Sequence, residues 1–346
     1  EIKNRNLKGI LTAPIFTYII PGLISSILFN ISKINHAIEE LVFMLLYLEK
    51  NYLNIDYIAF AKKLNLYLSF LGLPLSLIAF YNFKTKGYEM ILFGGAFDSG
   101  FIFSMIAFSS LGLFLYKKGS KRFLFLGLFF LYAFMVVLST KRSDLLGFLA
   151  GLSVFISASL GSYSKKIILS IAAVSILILS VGGFYVFRKD PRFDVVVKII
   201  KHEKITQKEL NTVSSLRYKI MIHAFRIIEN DIKDKNIPAI LIGHGVRSGL
   251  KLDPSLGLEK FESFEAISEY IEKGLIGLIG LVWFYWRVLK FSFGLKAIKP
   301  EDFLFVSFVS TMVYQLFGSL FTFFWSLYLP LILLLFGIAE NYYEKR

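Results

Sequence analysis

Long apolar runs separated by short polar stretches make up most of this chain. Their length recurs close to the ~20 residues that an α-helix needs to cross the apolar core of a bilayer. They predict about nine membrane-spanning helices, at residues 9–30, 64–83, 100–116, 122–139, 144–162, 166–187, 274–292, 303–320 and 324–340. The predicted fold class is therefore all-α, a polytopic transmembrane helical bundle.

One long polar segment interrupts this pattern between residues 188 and 273. It divides the chain into three predicted regions. These are N-terminal transmembrane helices at 1–187, a large loop domain at 188–273 and C-terminal transmembrane helices at 274–346.

Two amphipathic helices are predicted within or at the end of this loop, because apolar residues recur there at helical spacing. The first covers 214–230, with Ser214 or Ser215 as its N-cap. Its inward face is formed by Leu216, Ile220, Ala224 and Ile227. The second begins at a cap on Ser263, and its apolar face is formed by Phe264, Ile267, Ile271 and Leu275.

Basic residues between the predicted spans set the expected orientation. The chain carries 39 Lys and Arg against 25 Asp and Glu, a net charge of +14. In a membrane protein such an excess marks cytoplasmic loops, and it therefore does not indicate nucleic-acid binding. Lys117, Lys118 and Lys121 place the loop after the third span in the cytoplasm, and the 188–273 loop is then extracytoplasmic. Lys62 and Lys63 place the start of the second predicted span inside, which leaves Glu1 outside unless residues 38–60 also cross the membrane. A further N-terminal span before Glu1 would explain this parity.

Composition also limits the chemistry. The chain has no cysteine, which excludes disulfides and thiolate metal sites. No group of His, Asp and Glu has the spacing of a metal site, and no nucleotide-binding glycine motif is present. We therefore expect no metal and no cofactor.

Two short polar clusters share the predicted outer side with the large loop. Asp98 stands at the mouth of the third span, and Lys141 and Arg142 join the fourth span to the fifth. Outer basic residues of this kind either reach lipid phosphates or bind the phosphate groups of a ligand. The residues alone leave both interpretations open.

Further candidates lie in the loop itself. Arg217 falls in the first turn of its helix, where a cation opposes the helix dipole, so helix stability does not explain it. Gly243 and Gly245 permit positive φ and close approach to an anion, and Arg247 follows them. His244 is either a base near neutral pH or an inert loop histidine.

Glu262 stands just before the predicted cap Ser263. It has no evident structural task, and a carboxylate there could accept a proton from a sugar hydroxyl. The alternative is an ordinary solvated or ion-paired glutamate.

Five sequence stretches resemble, in order, the motifs of the O-antigen polymerase and O-antigen ligase family of bacterial envelope glycosyltransferases. The stretches are GGAFDSGFIFSM, VLSTKRSDLLGFLAG, SSLRYKIMIHAFRIIEN, AILIGHGVRSG and FESFEAISEYIEKGLIG. The family's two arginines correspond to Arg142 and Arg217. Ligases have His-Asn where Glu262 and Ser263 stand here, so the polymerase branch fits better.

This resemblance implies a GT-C-like bundle of transmembrane helices with a helical loop domain outside the bacterial cytoplasmic membrane. It implies polymerisation of undecaprenyl-diphosphate-linked repeat units, for O-antigen lipopolysaccharide or capsule, without a metal or cofactor. Expected partners are the lipid-linked donor and acceptor, the bilayer and a chain-length regulator, with no nucleic acid. The catalytic residues would be Arg142, Arg217, Glu262 and His244. The substrate-binding residues would be Lys141, Arg247, Gly243, Gly245, Asp98 and Ser263.

Three alternatives compete with this function. A ligase would run the same chemistry onto another acceptor. A flippase or transporter for lipid-linked sugars predicts charged residues deep in the spans, and the sequence pattern indicates few. A non-catalytic membrane scaffold would leave the outer arginines unexplained.

Overall fold

The computed structural model describes residues 9–86, 96–139, 141–160, 165–187, 191–261, 264–320 and 328–345. This described part is built from α-helices joined by short turns and 3-10 segments, and it contains no β-strand. The all-α prediction is confirmed.

Each predicted span overlaps an α-helix of the described chain, and residues 161–162 and 324–327 of two predicted spans lie outside the described residues. These helices are α1 Thr12–Phe29, α3 Tyr57–Lys86, α4 Ala96–Tyr116, α5 Arg122–Leu138, α6 Arg142–Ser159, α7 Lys165–Phe187, α13 Glu265–Gly294, α14 Asp302–Ser319 and α15 Leu329–Glu344. The remaining helices are α2 Ile34–Leu45, α8 Pro191–Ile200, α9 Gln207–Val213, α10 Arg217–Lys233, α11 Ile237–Ile242 and α12 Gly249–Leu252.

Four segments in the described chain are long and apolar enough to cross a membrane: Thr12–Phe29, Tyr57–Thr85, Asp98–Tyr116 and Glu265–Gly294. They make this a helical membrane protein. Shorter apolar helices occur at Arg122–Leu138 and Lys166–Gly182. The count of about nine crossings stays a prediction.

The loop helix α10 begins later than its predicted start. Its N-cap is Leu216, which has a left-handed backbone with φ of 66°. The hydroxyl of Ser214 still contributes, because it accepts a hydrogen bond from the Tyr218 amide at 3.2 Å. Ile220 and Ala224 are buried as predicted, together with Phe261 and Ile271, and Ile227 packs against them. The prediction is wrong for Leu216, which is exposed because it is the N-cap and precedes the helical face.

The chain divides into two compact units that do not follow its linear order. The first comprises Glu1–Asn51, Asp190–Val288 and Ser319–Pro330. The second comprises Tyr52–Lys189, Leu289–Gly318 and Leu331–Arg346. The first unit thus combines α1 and α2 with the loop helices and most of α13.

Helices of the second unit pack closely through small residues. Gly151 of α6 lies against the Phe108 ring of α4 and the Ser310 carbonyl of α14. Asn65 of α3 donates to the Leu304 carbonyl at 3.1 Å. Close approach at glycine and hydrogen bonds between helices are typical of helix packing in membranes.

Candidate functional site

Helix α13 is broken at Gly274, where φ is 67° and ψ is −168°. A side chain there would overlap the backbone of Leu241 and Ile242 at the end of α11. Glycine is therefore required both by the left-handed backbone and by the close approach of a second segment. The break leaves helix carbonyls before it without their usual amide partners.

The turn that follows α11, residues 243–246, supplies those partners. The His244 amide donates to the Ile271 carbonyl at 2.8 Å, and the Gly245 amide donates to the Glu272 carbonyl at 3.0 Å. The Ser25 hydroxyl of α1 also donates to the Glu272 carbonyl, at 3.1 Å. The turn therefore holds the broken end of α13.

The same turn contacts α1. The Val246 amide donates to the Ser26 hydroxyl at 2.9 Å, and the Asn30 amide group donates to the Val246 carbonyl at 2.8 Å. Gly245, with φ of 95°, packs so closely that a Cβ would lie 2.9 Å from Cβ of Asn30.

Gly243 and Gly245 have the positive φ that their sequence pattern permits. The amides of His244 and Gly245 already bind protein carbonyls, and the Gly243 amide binds the Ala239 carbonyl at 2.8 Å. These contacts give a structural reason for the two glycines. Their assignment to substrate binding stays a prediction.

His244 is held by a carboxylate. Its Nε2 lies 2.7 Å from Oδ2 of Asp231, and both side chains are mostly buried. With Nε2 on the carboxylate, the ring's second nitrogen, Nδ1, is the atom that could accept a proton.

Arg247 is not an isolated cation, because it forms an ion pair. Its guanidinium lies 3.2 Å from Glu259, which also binds Lys33 at 2.6 Å. The hydrogen bond from Lys33, aided by Arg247, lowers the pKa of the Glu259 carboxyl. Release of Arg247 to an anionic ligand would leave Glu259 with Lys33.

Arg217 is the first residue of α10, which confirms its predicted position in the first turn of this helix, and its side chain is half-buried.

Asp98, Lys141 and Arg142 belong to the second unit. Arg142 is the exposed first residue of α6, and Lys141, its half-buried N-cap, interacts electrostatically with half-buried Asp98 in the first turn of α4. Glu262 and Ser263 lie outside the described residues.

A buried ionic cluster, which the sequence analysis missed, surrounds Glu269 of α13. Its carboxylate accepts hydrogen bonds from the Tyr18 hydroxyl at 2.6 Å, from Lys260 at 2.5 Å and from Lys273. Lys273 also lies 3.0 Å from Glu40 of α2. We call Tyr18, Glu40, Lys260, Glu265, Glu269, Glu272 and Lys273 the ionic cluster.

Lys260, which precedes α13, shows how strongly the carboxylates of the ionic cluster act on a buried lysine. Burial lowers the pKa of Lys260, but the carboxylates of Glu269 and Glu272 outweigh it, and the net shift is well upward. Lys260 therefore stays charged in the protein interior.

The prediction of which face of α13 packs inward is wrong for the two residues at its ends. Phe264 and Leu275 are exposed, whereas Glu265, Glu269 and Glu272 are buried. The missed signal is their spacing, since positions i, i+4 and i+7 share one face of a helix.

The fold and its apolar helices define a helical membrane protein. Its sequence is similar to that of an uncharacterized protein of Aquifex aeolicus (strain VF5), with 31% identity over 362 residues that cover 100% of this chain and 89% of that protein. The chain belongs to the same family as this Aquifex protein. No protein-family model and no solved structure matches it.

Proposed function

We propose that this protein is a glycosyltransferase of the bacterial cytoplasmic membrane that polymerises undecaprenyl-diphosphate-linked repeat units on the outer face. The motif resemblance supports the proposal. The structural observation that carries it is the basic pair Lys141–Arg142 at the N-terminus of α6, with Arg142 exposed. The end of an 18-residue helix adds partial positive charge, and the planar guanidinium matches phosphate oxygens.

In the proposed step, an acceptor sugar hydroxyl attacks the anomeric carbon of the donor glycan. A new glycosidic C–O bond forms, and the bond from that carbon to the lipid diphosphate breaks. The diphosphate leaves with the electron pair, and the hydroxyl proton passes to a base. Preorganised arginines stabilise the charge that develops on the leaving group.

Arg142 is proposed to bind that diphosphate, with Lys141 next to it in the chain. Arg217 and Arg247 are assigned to phosphate binding from the motif resemblance. On the acceptor side, His244 is a candidate base because Asp231 fixes its ring. Glu262 is the other candidate, from the resemblance alone.

The test is glycan chain length in cells that lack this gene and are complemented with variants. Wild type should restore long chains, whereas Arg142→Ala and Arg217→Ala should each reduce their yield by at least ~10²-fold, as loss of one charge-stabilising donor does. Lys118→Ala is the matched control, since it removes an exposed cation from a loop predicted to face the cytoplasm. All variants are compared at equal membrane expression.

Normal chains from both arginine variants would contradict the site assignment. Long lipid-linked chains that accumulate without transfer in the deletion strain would instead identify a ligase.

A transporter for lipid-linked sugars is the second candidate. The ionic cluster favours it, because ionisable residues buried along a candidate membrane-spanning helix often line ion or substrate pathways. In that case the deletion strain would accumulate single repeat units on the inner face only. A polymerase deletion leaves them accessible on the outer face.

A further inference from the structure

Glu272 differs from the other carboxylates whose hydrogen bonds were described above. Its side chain is 2% exposed, and neither carboxylate oxygen accepts a hydrogen bond from the described residues. The Lys260 ammonium lies 3.7 Å away and donates at 2.5 Å to Glu269 instead.

The charged groups around Glu272 do not balance. Glu40 faces it from α2, Lys260 from the segment before α13, and Glu269 and Lys273 from α13 itself. The carboxyl groups of the ionic cluster, those of Glu40, Glu265, Glu269 and Glu272, outnumber the ammonium groups of Lys260 and Lys273. Glu272 accepts no hydrogen bond from the described residues, and its nearest cation, Lys260, donates to Glu269. A buried carboxylate in such surroundings is neutralised rather than kept charged.

The backbone around Glu272 is held by specific contacts. Its carbonyl accepts hydrogen bonds from Gly245 and Ser25, and the break at Gly274 follows two residues later. Breaks within membrane helices are tolerated where protein or a cavity satisfies the backbone, and they often lie at ion-binding sites.

We propose that Glu272 is a proton-binding site. Its carboxyl group carries a proton that neutralises it within the cluster, and release of that proton leaves a buried negative charge beside the break. Proton release would thereby weaken the packing of the 243–246 turn on α13. The proposal is independent of the polymerase function.

Infrared spectroscopy of the full-length protein in detergent tests it, because a protonated carboxyl has a carbonyl band apart from that of a carboxylate. At neutral pH we expect wild type to show such a band, Glu272→Gln to lose it, and Glu229→Gln to retain it. Glu229 is the matched control because it forms an exposed ion pair with Lys233.

Thermal unfolding supplies the second measurement. Gln has the shape of a protonated Glu, so Glu272→Gln should change the Tm by less than ~2 °C at neutral pH. Because folded Glu272 holds a proton that the unfolded chain gives up earlier, wild type should lose stability as pH rises, and Glu272→Gln should lose less.

Several results would overturn the proposal. Absence of the band in wild type would do so, as would a band that persists in Glu272→Gln and disappears in Glu40→Gln. Failure of Glu272→Gln to fold would show that an ionised carboxylate is needed. A Tm that rises with sodium but not with choline, without the band, would show a metal cation instead.

Discussion

The two parts of α13 on either side of Gly274 have opposite surfaces. Before the break, Glu269, Glu272 and Lys273 are fully buried. After the break, Val282 and Trp286 are 60% and 62% exposed. One helix thus buries charge in its first part and exposes apolar side chains in its second.

The spacing of these residues explains what surrounds each part. Leu275, Ile279, Val282 and Trp286 follow at i, i+4, i+7 and i+11, so the exposed apolar residues form one stripe. The protein leaves this apolar stripe exposed, so contact with lipid would remove it from water. The charged face of the first part has its partners in α1 and α2. The difference shows that a side chain of α13 is buried where it has a partner in the protein, whether it is charged or apolar.

The largest effect is expected for Glu269→Ala in the first part. The variant leaves Lys260 and Lys273 buried without the carboxylate that accepts both, which should cost about 3–5 kcal/mol of unfolding free energy. Thermal or denaturant unfolding in detergent measures it.

Its control is Glu229→Ala, which breaks only an exposed pair with Lys233 and should leave the Tm unchanged. Equal effects of the two variants would show that the ionic cluster contributes no more than a surface pair, and the contrast between the halves of α13 would disappear.

Val282→Arg tests the second part. A charge on a lipid-facing stripe should cost roughly 2.5–3.5 kcal/mol of membrane insertion. The fraction of protein integrated in isolated membranes measures the effect, with Val282→Leu as a control that should integrate normally. Normal integration of Val282→Arg would mean that this stripe faces water.

Gly274→Ala tests the break itself. The backbone of residue 274, with φ of 67° and ψ of −168°, is essentially restricted to glycine, so alanine there costs about 1–3 kcal/mol. The new methyl group must also displace the backbone of α11. Gly127→Ala in α5 is the matched control, because nothing lies within 4 Å of its added Cβ. We expect a lower Tm for the first and an unchanged or higher Tm for the second. The reverse order would show that the break is not enforced by glycine.

The sequence predicted the helices well because their length is set by a local property. Apolar runs of bilayer length form helices whatever they pack against, so α4, α5 and α7 lie close to their predicted positions. Arg217 at the start of α10 and the positive φ of Gly243 and Gly245 also follow from local pattern.

The ionic cluster could not be predicted in this way. Which face of α13 is buried depends on Tyr18 and Glu40, residues far away in the chain, and apolar spacing selected the exposed Phe264 and Leu275 at its ends. The spacing of Glu265, Glu269 and Glu272 was visible, but acidic residues at helical spacing usually face solvent. These glutamates are buried instead because lysines and a tyrosine of the ionic cluster lie against them.

The hydrogen bond between Tyr18 and Glu269 also sets an order of events during synthesis. The two residues are 251 positions apart, so at about 5–20 residues per second Tyr18 leaves the ribosome roughly 10–50 s before its partner. During that interval α1 must persist without its partners in α13. It can do so because the cluster member that it carries is an uncharged phenol, while the buried carboxylates and lysine of α13 arrive last, when α1 is already in place to receive them.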